Sequence, residues 1–319
     1  MSTQKMKRIY LVGGEKGGVG KTFISRSLCQ YLNSRGEAFS LVEADSQIND
    51  VGRIYQEQAV STHTITLSDD PKRAAEPDVI VQAATAAPTI VNLPSNTLAV
   101  LENWMHQTNL LELMEEKFGG QHRLVKWFVS DGCHESIRQL EASIFALDRS
   151  IPHIVILNHG RLNGVDFSYL ETNPTYQRLK EQPNFITEIE FPALENSVQF
   201  FVDENELTLA DARERVSEEQ GILAGQRIIT FIRDFTEAFD SAIEALERSW
   251  TLPEMQKSDR KLEVEPTNQA SDPEPIPEEQ PTEAQIFVGI KKGKSDQAND
   301  PKPPENTAGQ GFGAQSDDN

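Results

Sequence analysis

The chain has 319 residues, of which 37% are hydrophobic, and its 50 acidic and 30 basic side chains give a formal net charge of -20. This hydrophobic content suffices for a packed core, whereas the charge argues against broad electrostatic affinity for nucleic acid or anionic lipid. Two distant cysteines argue against a disulfide framework, and no apolar run approaches the roughly 18 residues of a membrane helix, so we expect a cytoplasmic protein without membrane contact.

Apolar strand-like runs alternate with helical patterns from the amino terminus onward. The sequence predicts strands at RIYLVGG, AFSLVEAD, THTITLS and TIVNLPS, and helices at FISRSLCQYLNSRG and PDVIVQAATAA. There follow a helix from about Leu98 to Phe118, the strand LVKWFVSD, a helix from Glu135 to Leu147, the strands HIVILNHG and FITEIEFPAL, and one long carboxy-terminal helix. Strands separated by helices imply right-handed crossovers, which predicts an α/β fold of three layers, with a mostly parallel sheet flanked by helices.

The composition changes near Trp250. From Thr251 onward the chain is rich in Pro, Glu, Asp, Gln, Ser and Gly, with one short apolar stretch, AQIFVGIKKGK. Such a segment buries too little apolar surface to offset its ordering entropy. We therefore predict a folded domain over residues 1–250 and an acidic, proline-rich, disordered tail over residues 251–319.

The turn GEKGGVGKT joins the first predicted strand to the first predicted helix, which is the context that a phosphate-binding loop requires. Gly17, Gly18 and Gly20 let backbone N–H groups converge on phosphates, and the helix N-terminus adds its positive dipole end. Lys21 supplies a point charge, and Thr22 presents a hydroxyl to Mg²⁺. The sequence thus predicts a P-loop NTPase fold that binds ATP and Mg²⁺. The candidate nucleotide-binding residues of the loop are Gly17, Gly18, Val19, Gly20, Lys21, Thr22 and Phe23.

Two features depart from the general phosphate-loop pattern. Glu15 stands where a glycine is usual, and Lys16 adds a second lysine. With these features, KGGVGKT resembles the deviant Walker A motif of the ParA/MinD family of dimeric ATPases. The resemblance implies an ATP-dependent homodimer in which Lys16 contacts the partner's ATP, as arginine fingers do in other phosphate-transfer switches. The alternative for Lys16 is a solvated loop charge.

Two further motifs of this family are only partly matched. The segment SLVEADSQIND places Asp45 where the family's catalytic carboxylate lies near Mg²⁺, whereas Glu43 and Ser46 replace the expected aspartate and proline. Asp45 is the candidate catalytic carboxylate and metal ligand; an aspartate that caps a turn is the alternative. Asn92 stands at the third motif, where the resemblance implies an aspartate, and would contact Mg²⁺ through water. Slow turnover is therefore expected, and Asn92→Asp is expected to raise it.

Residues at two later strand ends complete the candidate site. By resemblance, Asn158 would hydrogen-bond the adenine edge and the Pro192 loop would lie beside the base, although Asn158 followed by His159 and Gly160 is equally typical of a turn. In SDGCHES, Cys133 and His134 are interpreted as a loop residue and a helix start, because no third group of a nucleophilic site can be placed.

The last predicted strand is followed by a Pro-Ala-Leu corner, a leucine-rich segment and an arginine-bearing terminal helix. In these features the chain, over about residues 1–250, is similar to TraL/MobD-type proteins of plasmid conjugation and mobilisation, a branch of the same family. The leading hypothesis is a switch ATPase, converting ATP and water to ADP and phosphate, that recruits a protein partner in plasmid transfer, mobilisation or partition; direct DNA contact is not expected. The second hypothesis is a nucleotide-binding scaffold with little hydrolysis. A redox or small-molecule enzyme of the same fold ranks last, because no cysteine pair is set for a shared iron–sulfur cluster.

Overall fold

A computed structural model describes residues 6–44, 49–161 and 166–251 of the chain. Within them, seven strands form one sheet in the order β3-β2-β4-β1-β5-β6-β7, and every neighbouring pair is parallel. The strands are β1 (Lys7–Gly13), β2 (Ser40–Glu43), β3 (Ser61–Thr64), β4 (Thr89–Asn92), β5 (His122–Ser130), β6 (His153–Asn158) and β7 (Phe185–Phe191). The predicted α/β class with a parallel sheet is confirmed. The predicted tail lies outside the described residues, apart from the helical residue 251.

The helices mostly follow the predicted order. They are α1 (Lys21–Ser34), α2 (Asp50–Tyr55), α3 (Asp78–Ala86), α4 (Leu98–Gln107), α5 (Leu110–Phe118), α6 (His134–Ala146), α7 (Pro174–Lys180), α8 (Asn196–Glu204), α9 (Leu209–Glu219) and α10 (Ile222–Thr251). The predicted single helix from Leu98 to Phe118 is wrong, because Asn109 adopts a left-handed backbone (φ 46°) that separates α4 from α5. The predicted long terminal helix is present as α10, but α8 and α9, which precede it, were not predicted; left-handed backbones at Glu206 (φ 52°) and Gly221 (φ 95°) separate the three helices.

Helices cover both faces of the sheet because side chains alternate along each buried strand. On β1, Tyr10 and Val12 belong to a core with residues of α1, α9 and α10, whereas Ile9 and Leu11 belong to a core with residues of α3, α4 and α5. A third core packs α6 and α7 under β5 and β6. The three predicted layers are therefore present.

The apolar stripe of α10 packs on the first of these faces. Phe235 and Phe239 are buried and stack on Phe191 of β7 at ring centroid distances of 6.1 and 6.0 Å. Ile222, which is 80% exposed, and Ile229, which is 37% exposed, do not belong to this buried stripe. In the part of the chain that the structure describes, no helix is both long and apolar enough to cross a membrane.

The strand order places a ligand crevice at the end of β1. From β1 the chain first builds β2, β3 and β4 on one side, and then β5, β6 and β7 on the other. In open parallel sheets, ligands bind outside the carboxyl ends of the strands at such a change of direction. The glycine-rich loop follows β1 at this point.

Candidate nucleotide-binding site

The loop between β1 and α1 has the conformation of an anion cradle. Gly18 and Gly20 adopt left-handed backbones (φ 77° and 100°), and nothing lies within 4 Å of where a Gly18 side chain would begin. No side chain of the described residues caps α1, whose first helical bond runs from Ile24 N–H to the Gly20 carbonyl at 3.1 Å. The N–H groups of Thr22 and Phe23 precede this bond and therefore have no acceptor four residues back within the helix. The open position at Gly18 and the first-turn amides of α1 fit the phosphates of a nucleotide.

Lys21 lies across this loop rather than away from it. Its Nζ donates to the Lys16 carbonyl at 3.1 Å and to Ser95 Oγ at 2.7 Å. Ser95 follows β4, the strand that ends at Asn92. The loop lysine is therefore directed at the edge where β1 and β4 end, and its role as a phosphate ligand stays a prediction.

Lys16 is paired within its own chain. Its ammonium forms an ion pair with Asp131 after β5 and lies 3.2 Å from Cys133 Sγ. The hydrogen bond to Asp131 raises the pKa of Lys16. Burial by itself would raise the pKa of Asp131, but the hydrogen bonds from Lys16 and Cys133 outweigh it and hold that pKa below its usual value. The lysine side chain is 35% exposed. Its predicted contact with a partner's ATP stays a prediction.

Asn92 takes part in a buried polar chain. Ser25 Oγ of α1 donates to Asn92 Oδ1 at 3.0 Å, and Asn92 Nδ2 donates to Glu43 Oε1. Glu43 Oε2 also accepts from the Gly52 N–H of α2 at 3.4 Å. Glu43 is fully buried and Asn92 is 2% exposed. Glu43 thus fixes the position of the Asn92 amide through a direct hydrogen bond.

The magnesium site predicted from the sequence is only partly described. Thr22 is half-buried in the first turn of α1, but Asp45 lies outside the described residues. Among the described residues, no group of three or more His, Cys, Asp or Glu side chains is placed to hold a metal ion. The roles of Thr22, Asp45 and Asn92 toward Mg²⁺ stay predictions.

Asn158 braces the phosphate loop from the end of β6. Its Nδ2 donates to the Val19 carbonyl at 2.8 Å, and its Oδ1 accepts from the Gly160 N–H at 3.0 Å. A side chain at Gly20 would begin 2.3 Å from Asn158 Nδ2, so the contact also requires glycine at that position. These bonds match the turn interpretation, and the adenine contact stays a prediction.

The Pro192 loop borders a cavity of about 390 Å³. The start of α10 forms the opposite wall with Leu223, Arg227 and Phe231. The Phe23 side chain does not line this cavity. Its ring stacks on Phe231 in the core, with the two ring centroids 5.5 Å apart. Any nucleotide contact of Phe23 would therefore come from its backbone N–H.

Comparison with known proteins identifies the family. The model of the CobQ/CobB/MinD/ParA nucleotide binding domain, named CbiA, matches residues 10–264. This chain belongs to the CobQ/CobB/MinD/ParA nucleotide-binding family. Protein MobD of Acidithiobacillus ferrooxidans is 43% identical over 63 residues, which are 20% of this chain and 27% of that protein. The chain thus matches about a quarter of the length of this relative.

Three of the solved structures that are similar to this chain are the following. The MinD cell division protein of Aquifex aeolicus is 14% identical with a TM-score of 0.39, over 72% of this chain and 97% of that chain. A nucleotide-binding protein of Archaeoglobus fulgidus in complex with ADP is 12% identical with a TM-score of 0.41, over 63% and 87%. A plasmid partition protein of Borrelia burgdorferi is 16% identical with a TM-score of 0.35, over 63% and 96%.

Three residues beside the loop of this CobQ/CobB/MinD/ParA domain escaped the sequence analysis. Ser95 and Asp131 contact the two loop lysines from the ends of β4 and β5. The third residue, Lys126, lies within β5 itself. A lysine in the apolar strand LVKWFV was the available signal for it, whereas Ser95 and Asp131 look like ordinary loop residues in the sequence.

Proposed function

We propose that this protein is a ParA/MinD-type switch ATPase that binds ATP with Mg²⁺, forms an ATP-dependent homodimer and hydrolyses ATP slowly. The observation that carries the proposal is the phosphate loop: left-handed glycines, an uncapped α1 and a Lys21 ammonium directed across the loop toward Ser95. The family match over residues 10–264 supports nucleotide binding. Mg²⁺, when bound, would offset the charge of the phosphates.

Calorimetric titration with Mg-ATP tests the binding step. Lys21→Ala is expected to abolish binding, because the ammonium contacts the most charged part of the ligand. Lys72→Ala is the matched control, since Lys72 is an exposed lysine in another part of the chain. Equal ATP affinity in wild type and Lys21→Ala would refute the assignment of the loop.

The homodimer and the catalytic role of Lys16 are separate parts of the proposal. To reach a partner's ATP, Lys16 has to leave Asp131. Lys16→Ala is therefore expected to keep nucleotide binding and to lose the ATP-dependent dimer, measured by sedimentation with ATP, and turnover, measured by phosphate release. A Lys16→Ala protein that dimerises and hydrolyses like wild type would show that the second lysine has no trans role.

The second candidate function is a nucleotide-binding scaffold with little or no hydrolysis. Asn92 favours it, because the amide brings no charge and is already bonded to Glu43 and Ser25. Phosphate release by wild type and Asp45→Asn separates the candidates. A measurable rate that Asp45→Asn removes supports the switch, and an equal background rate in both supports the scaffold.

The biological setting is proposed from the relatives. The 63-residue similarity to MobD supports a protein partner in plasmid transfer, mobilisation or partition. Deleting the gene and measuring both transfer frequency and plasmid loss distinguishes transfer from partition. We also propose that residues 1–250 fold as the ATPase domain without the tail; a chain truncated after Trp250 should keep its thermal transition.

A further inference from the structure

Glu15 is part of the loop but points away from the solvent. It is 7% exposed, and its Oε2 accepts from the Leu98 N–H at 3.0 Å. Leu98 is the first residue of α4, so the carboxylate occupies the N-terminus of that helix, where a negative charge is favourable. Its Oε1 is buried and has no hydrogen-bond partner among the described residues. Glu15 therefore ties the loop to α4 and retains an unused acceptor.

Lys126 lies beneath the same loop. It pairs in register with Leu11 of β1 and is fully buried in the centre of the sheet. Its side chain extends toward the carboxyl end of β1, because a side chain at Gly13 would begin 2.7 Å from Lys126 Nζ. Across residues 6–44, 49–161 and 166–251, this Nζ has no hydrogen-bond partner. Gly13 thus leaves room for an ammonium directly under the start of the loop.

Three charged or titratable groups surround this ammonium. Glu15 faces it from the loop and favours its charged form, whereas Lys21 at the start of α1 opposes that form. His153 is its register partner on β6 and is itself kept neutral by burial. Burial is the largest effect and lowers the pKa of Lys126 to about 8.

A lysine in this position is costly unless its charge is used. Burying an ammonium without hydrogen bonds is strongly unfavourable, and an apolar side chain of similar length would pack in the strand at no such cost. The Glu15 carboxylate offsets only part of this cost, since one of its oxygens caps α4. An anion in the loop above would supply the remaining compensation.

We propose that Lys126 is a positioning residue of the phosphate site: it lies buried beneath the loop and provides positive charge under the phosphates when a nucleotide binds. This inference rests on the proposed nucleotide binding. Because a bound polyanion favours the charged form of a nearby amine, ATP binding then draws a proton onto Lys126 Nζ from the buffer.

The test is Mg-ATP titration calorimetry at pH 8 in two buffers of different ionisation enthalpy, which counts the protons taken up. Lys126 is about half protonated at that pH, so wild type should take up at most about half a proton per nucleotide. Lys126→Met keeps the length of the chain and removes the charge; it should abolish the uptake and weaken binding about tenfold. Lys72→Met, on an exposed lysine, should leave both unchanged.

The outcomes separate this inference from the proposed function. Failure of wild type to bind ATP overturns the proposed function, whereas binding without proton uptake, or equal uptake in Lys126→Met, overturns only the role of Lys126. Should Lys126→Met not fold, the wild-type affinity decides: it should fall about tenfold between pH 7 and pH 9 as Lys126 loses its proton, and a flat profile refutes the inference. Glu15→Gln should lower the pH at which proton uptake is maximal, because Glu15 raises the pKa of Lys126.

Discussion

Replacing Asn92 by aspartate should destabilise the fold. The Asn92 amide donates to Glu43 Oε1 in a site where Glu43 is fully buried and Asn92 is 2% exposed. Asn92→Asp removes this donor and sets two carboxylates in contact. The sequence resemblance alone predicts that Asn92→Asp raises ATP turnover, because it implies an acidic residue near Mg²⁺ at this position. The contact with Glu43, which the motif does not reveal, predicts in addition a loss of folding stability.

The size of this cost follows from the contact. Two unit negative charges about 3 Å apart repel by about 5–6 kcal/mol at an effective dielectric constant of about 20. Relaxation of the surroundings lowers this value, and breaking a buried charge contact typically costs about 3–5 kcal/mol. We expect the free energy of unfolding to fall by about 3 kcal/mol, which is a decrease in melting temperature of about 6–12 °C for a domain of this size.

Thermal unfolding followed by circular dichroism measures this change. Asn103→Asp adds the same charge on an exposed part of α4 and should change stability by no more than about 0.5 kcal/mol. The double variant Glu43→Gln with Asn92→Asp restores one amide and one carboxylate in reversed order, and should recover most of the loss. If Asn92→Asp melts like wild type, or the double variant recovers nothing, the pairing does not stabilise the fold.

Three further predictions concern the loop and the sheet. Asp131→Asn should release Lys16 from its ion pair and strengthen the ATP-dependent dimer, measured by sedimentation. The gain in dimer affinity should be at most about fivefold, because partly exposed ion pairs contribute about 0–1 kcal/mol. A weaker dimer would contradict this. Gly20→Ala should lower stability by more than the roughly 1–2 kcal/mol of left-handed strain, because its Cβ would lie 2.3 Å from Asn158 Nδ2. Gly36→Ala, with φ 65° and open space around it, should show the strain alone in the same unfolding assay. Burial lowers the pKa of His153 to about 3, so the unfolded chain gains a proton that the folded chain excludes. Stability should therefore fall by about 1.4 kcal/mol per pH unit as the pH drops from about 6.5 toward 3, and His153→Gln should show a shallower slope in urea titrations.

The phosphate loop and the parallel sheet could be predicted because their signals are local. Strand, glycine-rich turn and helix are adjacent in the chain, and the spacing of Lys21 and Thr22 after the glycines fixes their position at the helix start. The break between α4 and α5 was missed because Asn109 gives little local signal for its left-handed backbone.

The contacts that tune the site were decided only by the tertiary structure. Asp131 meets Lys16 across 115 positions of the chain, and Asn92 meets Glu43 across 49. Likewise, Lys126 comes to lie under the loop only because β5 pairs with β1. The sequence by itself determined the fold and the phosphate cradle, since periodicity and turn chemistry act between neighbours in the chain. Strand order brings distant charges together, and their burial then sets how strongly they interact.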